Sequence, residues 1–222
     1  MELLTISNTK LAKGEKKGYL TFGIHLAPAD LSGRNVCPMA STGCKTACLN
    51  TAGRGRFDMV QKARLRKTNY FFDEREKFLA QLRSEIHKAI KKASRKDLIP
   101  CFRLNLTSDI RWENFDLMQN FPDVQFYDYT KDFKRFERPL PANYHLTFSR
   151  SETNGAICET LAAQGKNVAV VFAGGLPSHY FGNPVIDGDE TDLRFLDPRP
   201  CIVGLKTKGL AKQDNSGFVV KV

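Results

Sequence analysis

Three cysteines stand close together in one short segment of the 222-residue chain. Cys37, Cys44 and Cys48 have the spacing C-x6-C-x3-C, and proline, glycine and serine surround them instead of regularly spaced apolar residues. Thiolates bind zinc and iron–sulfur clusters, and a set of three leaves one coordination position open for a substrate. The segment therefore predicts a metal centre that can take part in a reaction.

The spacing of these cysteines distinguishes between metals. Structural zinc sites use four ligands, commonly in two C-x2-C or Cys/His pairs, and the sequence has no second pair of this kind. Three thiolates from one loop fit a [4Fe–4S] cluster better, and its open iron could bind a substrate or S-adenosylmethionine (SAM). We expect a [4Fe–4S] cluster, with zinc as the alternative metal.

The other three cysteines have apolar neighbours. Free cysteine is among the residue types most often buried, so we interpret Cys101, Cys158 and Cys201 as core residues. One of them, or His25, could still supply a fourth ligand. We expect no disulfide framework, because the chain is long enough to bury a core and its first residues lack a signal-peptide pattern. The expected compartment is a reducing cytoplasm.

The composition is strongly basic, with a formal net charge of +10 and a pI near 9.4. Such a surface commonly attracts nucleic acid, nucleotides or other phosphates. No apolar run is long enough to span a bilayer, so we expect no membrane partner. Much of the charge lies in residues 61–96. There, apolar residues at spacings of three and four predict a helix over 73–94, whose charged face is read as solvated surface, with a nucleic-acid patch as the alternative.

Strand and helix patterns alternate along the rest of the chain. This alternation predicts one α/β domain of parallel βα repeats, as a partial (β/α)6 TIM-like barrel with the cysteine loop after its first strand. An open doubly wound sheet is the alternative. The expected parts are an N-terminal extension (1–18), a βα core (19–210) and a C-terminal tail (211–222). The predicted strands are 19–26, 97–106, 124–129, 144–149, 167–173 and 201–205, and the helices that follow them include 112–120, 132–138 and 154–164.

Polar residues follow several of these strands. In parallel α/β folds, ligands bind where the strands end, so the cysteine loop and these residues are expected to share one edge of the sheet. Asp109 could instead cap the next helix, and Gly174 with Gly175 could form only a tight turn. The candidate catalytic residues are Asp109, Asp128, Lys131, Arg150 and Glu152. The candidate cofactor-binding residues are Asn105, Ser108, Ser149, Gly174, Gly175, Arg54 and Arg56.

Several segments together resemble the phage gene product 88 family. The resemblance extends along nearly the whole chain and is most specific in the cysteine loop. It implies a bacteriophage or prophage origin, and hence the cytoplasm of a host cell, without implying a particular activity. The segments that carry it are 7–13, 22–28, 37–40, 43–48, 126–131, 192–198 and 202–209.

A broader similarity is to radical SAM enzymes, which combine a partial βα barrel with a three-cysteine cluster loop after the first strand. It implies that Cys37, Cys44 and Cys48 hold the cluster and that SAM occupies the open iron, although the usual loop is C-x3-C-x2-C. The expected function is a radical-SAM-like iron–sulfur enzyme acting on a nucleotide, nucleic acid or other anionic substrate. The alternatives are a cluster enzyme without SAM, acting as a Lewis acid, and a non-enzymatic phage protein. The latter would bind nucleic acid or a host protein and use a structural metal.

Overall fold

The computed structural model of the protein describes residues 1–6 and 9–222. Ser7 and Asn8, which begin the first segment of the family resemblance, lie outside the described residues. The described residues form a mixed α/β fold around a ten-stranded, mostly parallel sheet. None of their helices is long and apolar enough to cross a membrane.

The sheet has the strand order β1-β2-β3-β4-β5-β6-β9-β8-β7, and β10 pairs with β6 outside this path. Only β1 with β2 and β7 with β8 pair antiparallel. The strands are β1 (Leu4–Thr5), β2 (Tyr19–Ile24), β3 (Ile99–Arg103), β4 (Gln125–Thr130), β5 (Tyr144–Ser149), β6 (Val168–Ala173), β7 (His179–Tyr180), β8 (Asn183–Asp187), β9 (Ile202–Lys206) and β10 (Val220–Lys221).

The helices are unequal in length, and two of them follow one another along the chain before β3. Short 3-10 turns occupy several of the other connections. The α-helices are α1 (Thr9–Ala12), α2 (Thr42–Thr46), α3 (Asp58–Asp73), α4 (Arg75–Ser94), α5 (Leu117–Asn120) and α6 (Gly155–Ala163).

The main core lies between helix α4 and the first parallel strands. Phe78, Leu82 and Ile86 are fully buried and recur at helical spacing, so they form one apolar stripe on α4. This stripe shares a cluster with Phe22 of β2 and Phe102 of β3, whose rings stack with centroids 5.4 Å apart. Burial of this stripe holds α4 against the strands that precede the cysteine loop and its neighbouring loop.

The predicted α/β class with parallel repeats is confirmed. All six predicted strands are present as β2, β3, β4, β5, β6 and β9, and they are neighbours in the sheet in that order. Helix α3 and the short strands β1, β7, β8 and β10 were not predicted from the sequence. No pairing joins β1 to β7 in the part of the chain that the structure describes, so the sheet is open by its hydrogen bonds.

The predicted helix 112–120 is wrong as a continuous helix. A 3-10 turn covers Trp112–Phe115, and α5 begins only at Leu117. Between them Asp116 has φ 54°, a left-handed conformation that a right-handed helix cannot contain. The break lets Trp112 enter the main core while Leu117 starts a separate turn.

The predicted helix 132–138 is also shorter than expected, a 3-10 turn over Phe133–Phe136. The Asp132 carboxylate accepts a hydrogen bond from the Lys134 backbone N–H at 3.2 Å, which begins the turn. Pro139 restricts the residue before it to extended conformations, so the turn cannot continue as a helix.

Candidate functional site

The cysteine loop leaves β2 at the edge where the parallel strands end, here called the carboxyl edge. Cys37 lies in irregular chain, Cys44 lies in α2, and Cys48 precedes a 3-10 turn. All three are free thiols and all are half-buried. A negative charge on Cys44 or Cys48 would raise the pKa of Cys37, so the three thiols lie within electrostatic reach of one another.

Cys37 is anchored from two sides. Its Sγ accepts a hydrogen bond from the Ala29 N–H at 3.3 Å, and its thiol donates to the Thr107 carbonyl at 3.8 Å. Burial raises the pKa of Cys37 to about 12, and the charge of Asp109 also raises it. The Cys37 thiolate is therefore unfavourable unless positive charge, such as that of a bound metal, compensates it.

Arg64 of α3 is a buried cation beside Cys48. Its side chain is 6% exposed, Nη1 donates to Asn50 Oδ1, and Nε has no hydrogen-bond partner. Burial lowers the pKa of Arg64, whereas a Cys48 thiolate would raise it. Among the described residues no carboxylate lies within ion-pair distance of Arg64. Since burying an unpaired charge is costly, this position favours a negatively charged group nearby.

Lys131, just beyond β4, is a second cation at the same edge. Its Nζ donates to Ser149 Oγ at 2.9 Å and lies 5.4 Å from the centre of the Phe218 ring. It also lies close enough to Cys48 that its charge lowers the pKa of that thiol, against a larger rise caused by burial. No carboxylate of the described residues lies within ion-pair distance of Lys131, and its charge acts both on Cys48 and on the Asp109 carboxylate.

Glu152 holds the cysteine loop in place. Its carboxylate accepts hydrogen bonds from the Gly43 N–H and from Ser41 Oγ, each at 2.7 Å. Ser41 in turn accepts from the Cys44 N–H at 3.2 Å and so caps α2. The contacts of this predicted catalytic residue are thus with the loop that carries the thiols.

Arg150 and Gly174 both contact the C-terminal segment. The Arg150 guanidinium donates to the carbonyls of Gly217 and Phe218 at 2.8 and 3.0 Å. Gly174 has φ 90°, and a Cβ there would lie 2.5 Å from the Val222 carbonyl oxygen. Glycine is required at this position because the end of the chain passes against it. Phe218 packs in one cluster with Cys44, so this segment covers one side of the thiols.

Asp109 connects two loops at the carboxyl edge. Its carboxylate accepts hydrogen bonds from the Lys131 N–H at 2.9 Å and from Arg135 Nη1 at 3.2 Å. Burial raises the pKa of Asp109, and the Arg135 charge opposes that rise. The alternative role as a helix cap is wrong, because Arg111 occupies the cap position of the following turn.

Asp128 and Asn105 form a buried pair directly beneath these loops. Asp128 accepts from the Asn105 N–H at 2.7 Å and from the Tyr144 hydroxyl at 2.8 Å, and burial raises its pKa to about 7. Asn105 Oδ1 accepts from the Ile110 N–H at 2.9 Å and the Ser108 hydroxyl at 2.7 Å. The pair therefore fixes the loop after β3, which carries the Thr107 carbonyl that faces Cys37.

Arg54, Arg56 and Gly175 are exposed. The two arginines lie in the 3-10 turn Gly53–Arg56, between Cys48 and α3, and neither joins an ion pair of the described residues. Both are therefore available to an anion that approaches the loop.

Cys101 and His25, two of the residues suggested as a fourth ligand, lie in different parts of the fold. Cys101 is buried in the middle of β3, where it contacts Thr21 Oγ1 at 3.2 Å and packs in a cluster with Tyr127 and Leu193 that contains none of the three thiols. His25 lies at the carboxyl edge, with Nδ1 3.4 Å from Thr107 Oγ1, and burial followed by the Arg64 charge lowers its pKa to about 3. Cys101 is thus misplaced for the thiol site, whereas His25 is a neutral neighbour of it.

The three thiols are not drawn together around the position of a single ion. Over residues 1–6 and 9–222, no three or more His, Cys, Asp or Glu side chains are grouped as they would be around a metal ion. A four-iron cluster is larger than one ion and takes thiolates that lie further apart, and its sulfurs accept hydrogen bonds from backbone amides. The Ala29 and Asn50 amides donate to the sulfurs of Cys37 and Cys48, which is the kind of contact that cluster ligands receive.

The sequence analysis did not select Arg64 or Phe218 for the site. Arg64 lies among many cations of a charged helix, and only its burial distinguishes it from the exposed Arg66 two residues later. Phe218 is far from the cysteines along the chain and reaches them only because β10 pairs with β6. Such long-range pairing leaves no local signal in the sequence.

One family model, that of gene product 88, matches residues 2–222. The chain belongs to the gene product 88 family. Membership confirms the resemblance to these phage gene products, whereas the similarity to radical SAM enzymes gains no support. A search of curated proteins and a search of solved structures each found no significant match.

Proposed function

We propose that this gene product 88 family member is an iron–sulfur protein of the host cytoplasm in which Cys37, Cys44 and Cys48 hold a [4Fe–4S] cluster. In this proposal the βα repeats form a partial (β/α)6 barrel, and one iron stays open at the carboxyl edge. The proposed reaction is of radical-SAM type, on a nucleotide, nucleic acid or other anionic substrate. The observation that carries the proposal is the pair of cations, Arg64 and Lys131, beside thiols and without carboxylate partners in the described chain.

Charge balance connects these cations to a cluster. Three thiolates bound to a cluster form a strongly anionic group, and half-buried anions need compensating charge. Arg64 supplies it from α3 on the Cys48 side, and Lys131 supplies it from the end of β4. Neither cation forms an ion pair with a carboxylate of the described residues. Both charges can therefore stabilise the cluster or an anionic ligand on its open iron.

The remaining residues position the cysteine loop and its neighbours and limit the access of solvent to the thiols. Glu152 fixes the α2 part of the loop, Asp109 fixes the loops after β3 and β4, and the segment around Phe218 covers one side of the thiols. Arg54 and Arg56 lie where they can bind the phosphate groups of a substrate. A cluster with an open iron can hold SAM by its amino and carboxylate groups and supply the electron that cleaves it.

Anaerobic purification with metal analysis tests the cofactor. We expect a brown protein with about four iron and four sulfide per chain, and replacing Cys37, Cys44 or Cys48 by alanine should remove most of both. Cys101→Ala is the control, because Cys101 is buried in a separate core cluster and lies away from the thiol site. A colourless wild-type protein with one zinc per chain would overturn the proposed cofactor.

The reaction has its own test. Reconstituted protein, incubated anaerobically with SAM and dithionite, should release 5′-deoxyadenosine and methionine, and the Cys37→Ala protein should not. Cluster-containing protein that binds SAM poorly and releases neither product would exclude the radical-SAM reaction while leaving the cluster in place. Turnover of a hydroxy acid without reductant would then favour Lewis-acid chemistry.

A second candidate function rests on a different observation. Asp109, Asp128, Arg150 and Glu152 all bind other parts of the chain, which leaves few of the predicted catalytic groups for a substrate. This favours a non-enzymatic protein in which zinc or a cluster stabilises the loop. In that case removing the metal should lower the melting temperature, while no SAM product forms under any condition.

A further inference from the structure

The end of the sheet opposite the thiols carries a dense group of exposed cations, here called the basic end. Glu15 and Asp97 lie among them in the sequence, and Lys17 also borders a pocket lined by Asp187, Glu190 and Asp197. None of these cations forms an ion pair with a carboxylate of the described residues. The basic end consists of Lys16, Lys17, Lys88, Lys91, Lys92, Arg95 and Lys96.

Two distant parts of the sequence build this surface. Tyr19 and Ile99 are register partners at the starts of β2 and β3, and the Ile99 N–H donates to the Gly18 carbonyl at 2.8 Å. Lys17 shortly precedes β2, and Lys96 shortly precedes β3 after the end of α4. The cations before both strands therefore meet on one surface.

The last two turns of α4 form the longest row of the basic end. Lys88, Lys91, Lys92 and Arg95 have the spacing i, i+3, i+4 and i+7, which places them on one face of the helix. Like charges at these spacings repel one another. The helix dipole favours cations in the last turn, but it accounts neither for Lys88 nor for the lysines before β2. An anionic partner would relieve this repulsion.

We propose that the basic end binds the phosphate backbone of double-stranded nucleic acid. Six of its seven cations are lysines, which contact phosphates as point charges and do not read base edges as arginine does. Residues 13–18 and 84–97 contain no Phe, Tyr or Trp on which unpaired bases could stack, so a duplex suits this surface better than a single strand.

A membrane surface fits this patch less well. The apolar stripe of α4 is fully buried in the main core, so the helix has no face to insert between lipids. Ile99 is the one large exposed apolar side chain at the start of β3. Binding is therefore expected to be electrostatic, independent of sequence and strongly dependent on salt.

Nucleic acid at the basic end would lie away from the thiol site. The basic end and the thiol site lie at opposite ends of β2. The six residues of this strand span about 20 Å at 3.3 Å per residue. Duplex binding is thus an activity distinct from the proposed chemistry at the carboxyl edge, and it does not depend on the metal.

Fluorescence anisotropy with a labelled DNA duplex of about 20 base pairs, over a series of salt concentrations, tests this surface. The variant is K88Q/K91Q/K92Q/R95Q. Its control is K134Q/R138Q/K212Q/K221Q, which also removes three exposed lysines and one exposed arginine, but away from the cations that precede β2 and β3. Circular dichroism checks that both variants are folded.

We expect the α4 variant to bind at least about tenfold more weakly at 0.1 M salt, and its salt slope to fall by about 0.9 for each lost phosphate contact. The control should bind like the wild type. If the α4 variant does not fold, the K16Q/K17Q variant provides the same test, and its expected loss of affinity for the duplex is smaller. Equal losses in the control, no wild-type binding, tighter binding to single strands, or binding only to anionic vesicles would each overturn the proposal.

Discussion

At the scale of single residues, the thiol site differs from its surroundings in charge that is left unpaired. Asp109, Arg135 and Glu113 neutralise one another in a buried network, which makes them structural. Arg64 and Lys131 have no such carboxylate partner among the described residues. The sequence shows that all five residues are charged. Only their contacts in the structure show that three of them neutralise one another and that the two cations near the thiols do not form ion pairs within the described part of the chain.

Substituting Arg64 by methionine tests its electrostatic role. Methionine keeps an unbranched stem but removes the charge, so reduction of an anionic cluster should become less favourable. We expect the reduction potential to fall by about 60 mV, equivalent to about 1.4 kcal/mol for one electron, as measured by a spectroscopic redox titration. Arg66→Met is the matched control, since Arg66 is exposed on the same helix. An equal fall in the reduction potential of the Arg66→Met protein would show that the position of Arg64 beside the thiols has no particular effect on the cluster.

At the scale of elements, much of the sheet was predictable and the connections were not. The apolar runs of β2, β4, β5 and β6 are long and continuous, so their periodicity is readable without any partner. Helix α3 was missed because Gln61 and Arg64 interrupt its buried face with polar groups that hold the cysteine loop through Asn50. Strand β10 has two residues, and it pairs with the end of β6 that β5 leaves unpaired, which no local pattern encodes.

Contacts from other elements explain why the cysteine loop keeps its shape. Two elements far apart in sequence hold it, α3 through Asn50 and the segment after β5 through Glu152. Gly43 lies so close to this segment that a Cβ would come 2.7 Å from Glu152 Oε2 and 2.3 Å from Ser216 Oγ. The loop is therefore positioned from outside, since it contains little regular structure of its own.

Replacing Glu152 by alanine should loosen the α2 part of the loop. The Gly43 N–H and Ser41 hydroxyl lose a charged acceptor, which costs about 1–3 kcal/mol locally. Cys44 of the metal-free protein should then react faster with iodoacetamide, followed by mass spectrometry of the peptide. Glu190→Ala, at an exposed acidic residue, is the control. Unchanged Cys44 reactivity would mean that Glu152 does not restrain the loop.

At the scale of the whole molecule, buried ionisable groups couple stability to pH. His145 of β5 is 8% exposed, and its Nδ1 contacts the Arg199 guanidinium. Burial, followed by the charges of Arg199 and Arg194, lowers the pKa of His145 to about 4. As the pH falls below 6.5, the unfolded chain takes up this proton before the folded one, so the stability that neutral His145 provides is lost down to about pH 4.

Comparison with His145→Gln isolates this effect. Asp128 and Asp197, whose pKa values are raised to about 7 and about 6, act in the opposite direction but are present in both proteins. From pH 7 to pH 4 the unfolding free energy of the wild type should fall relative to the variant, by up to about 3 kcal/mol. Urea titrations at each pH measure the difference. A difference that stays constant would show that His145 does not titrate with unfolding.

The pairing of β10 with β6 also orders events during folding. β10 pairs with the part of β6 that β5 leaves free, and this contact joins the C-terminal segment to a strand about 50 residues earlier in the chain, a long-range pairing that is expected to form late. Until then Phe218 cannot cover the thiols, although their loop was synthesised long before. The side of Cys44 that Phe218 covers is therefore open until this segment docks, so the proposed cluster would have to be delivered before that step.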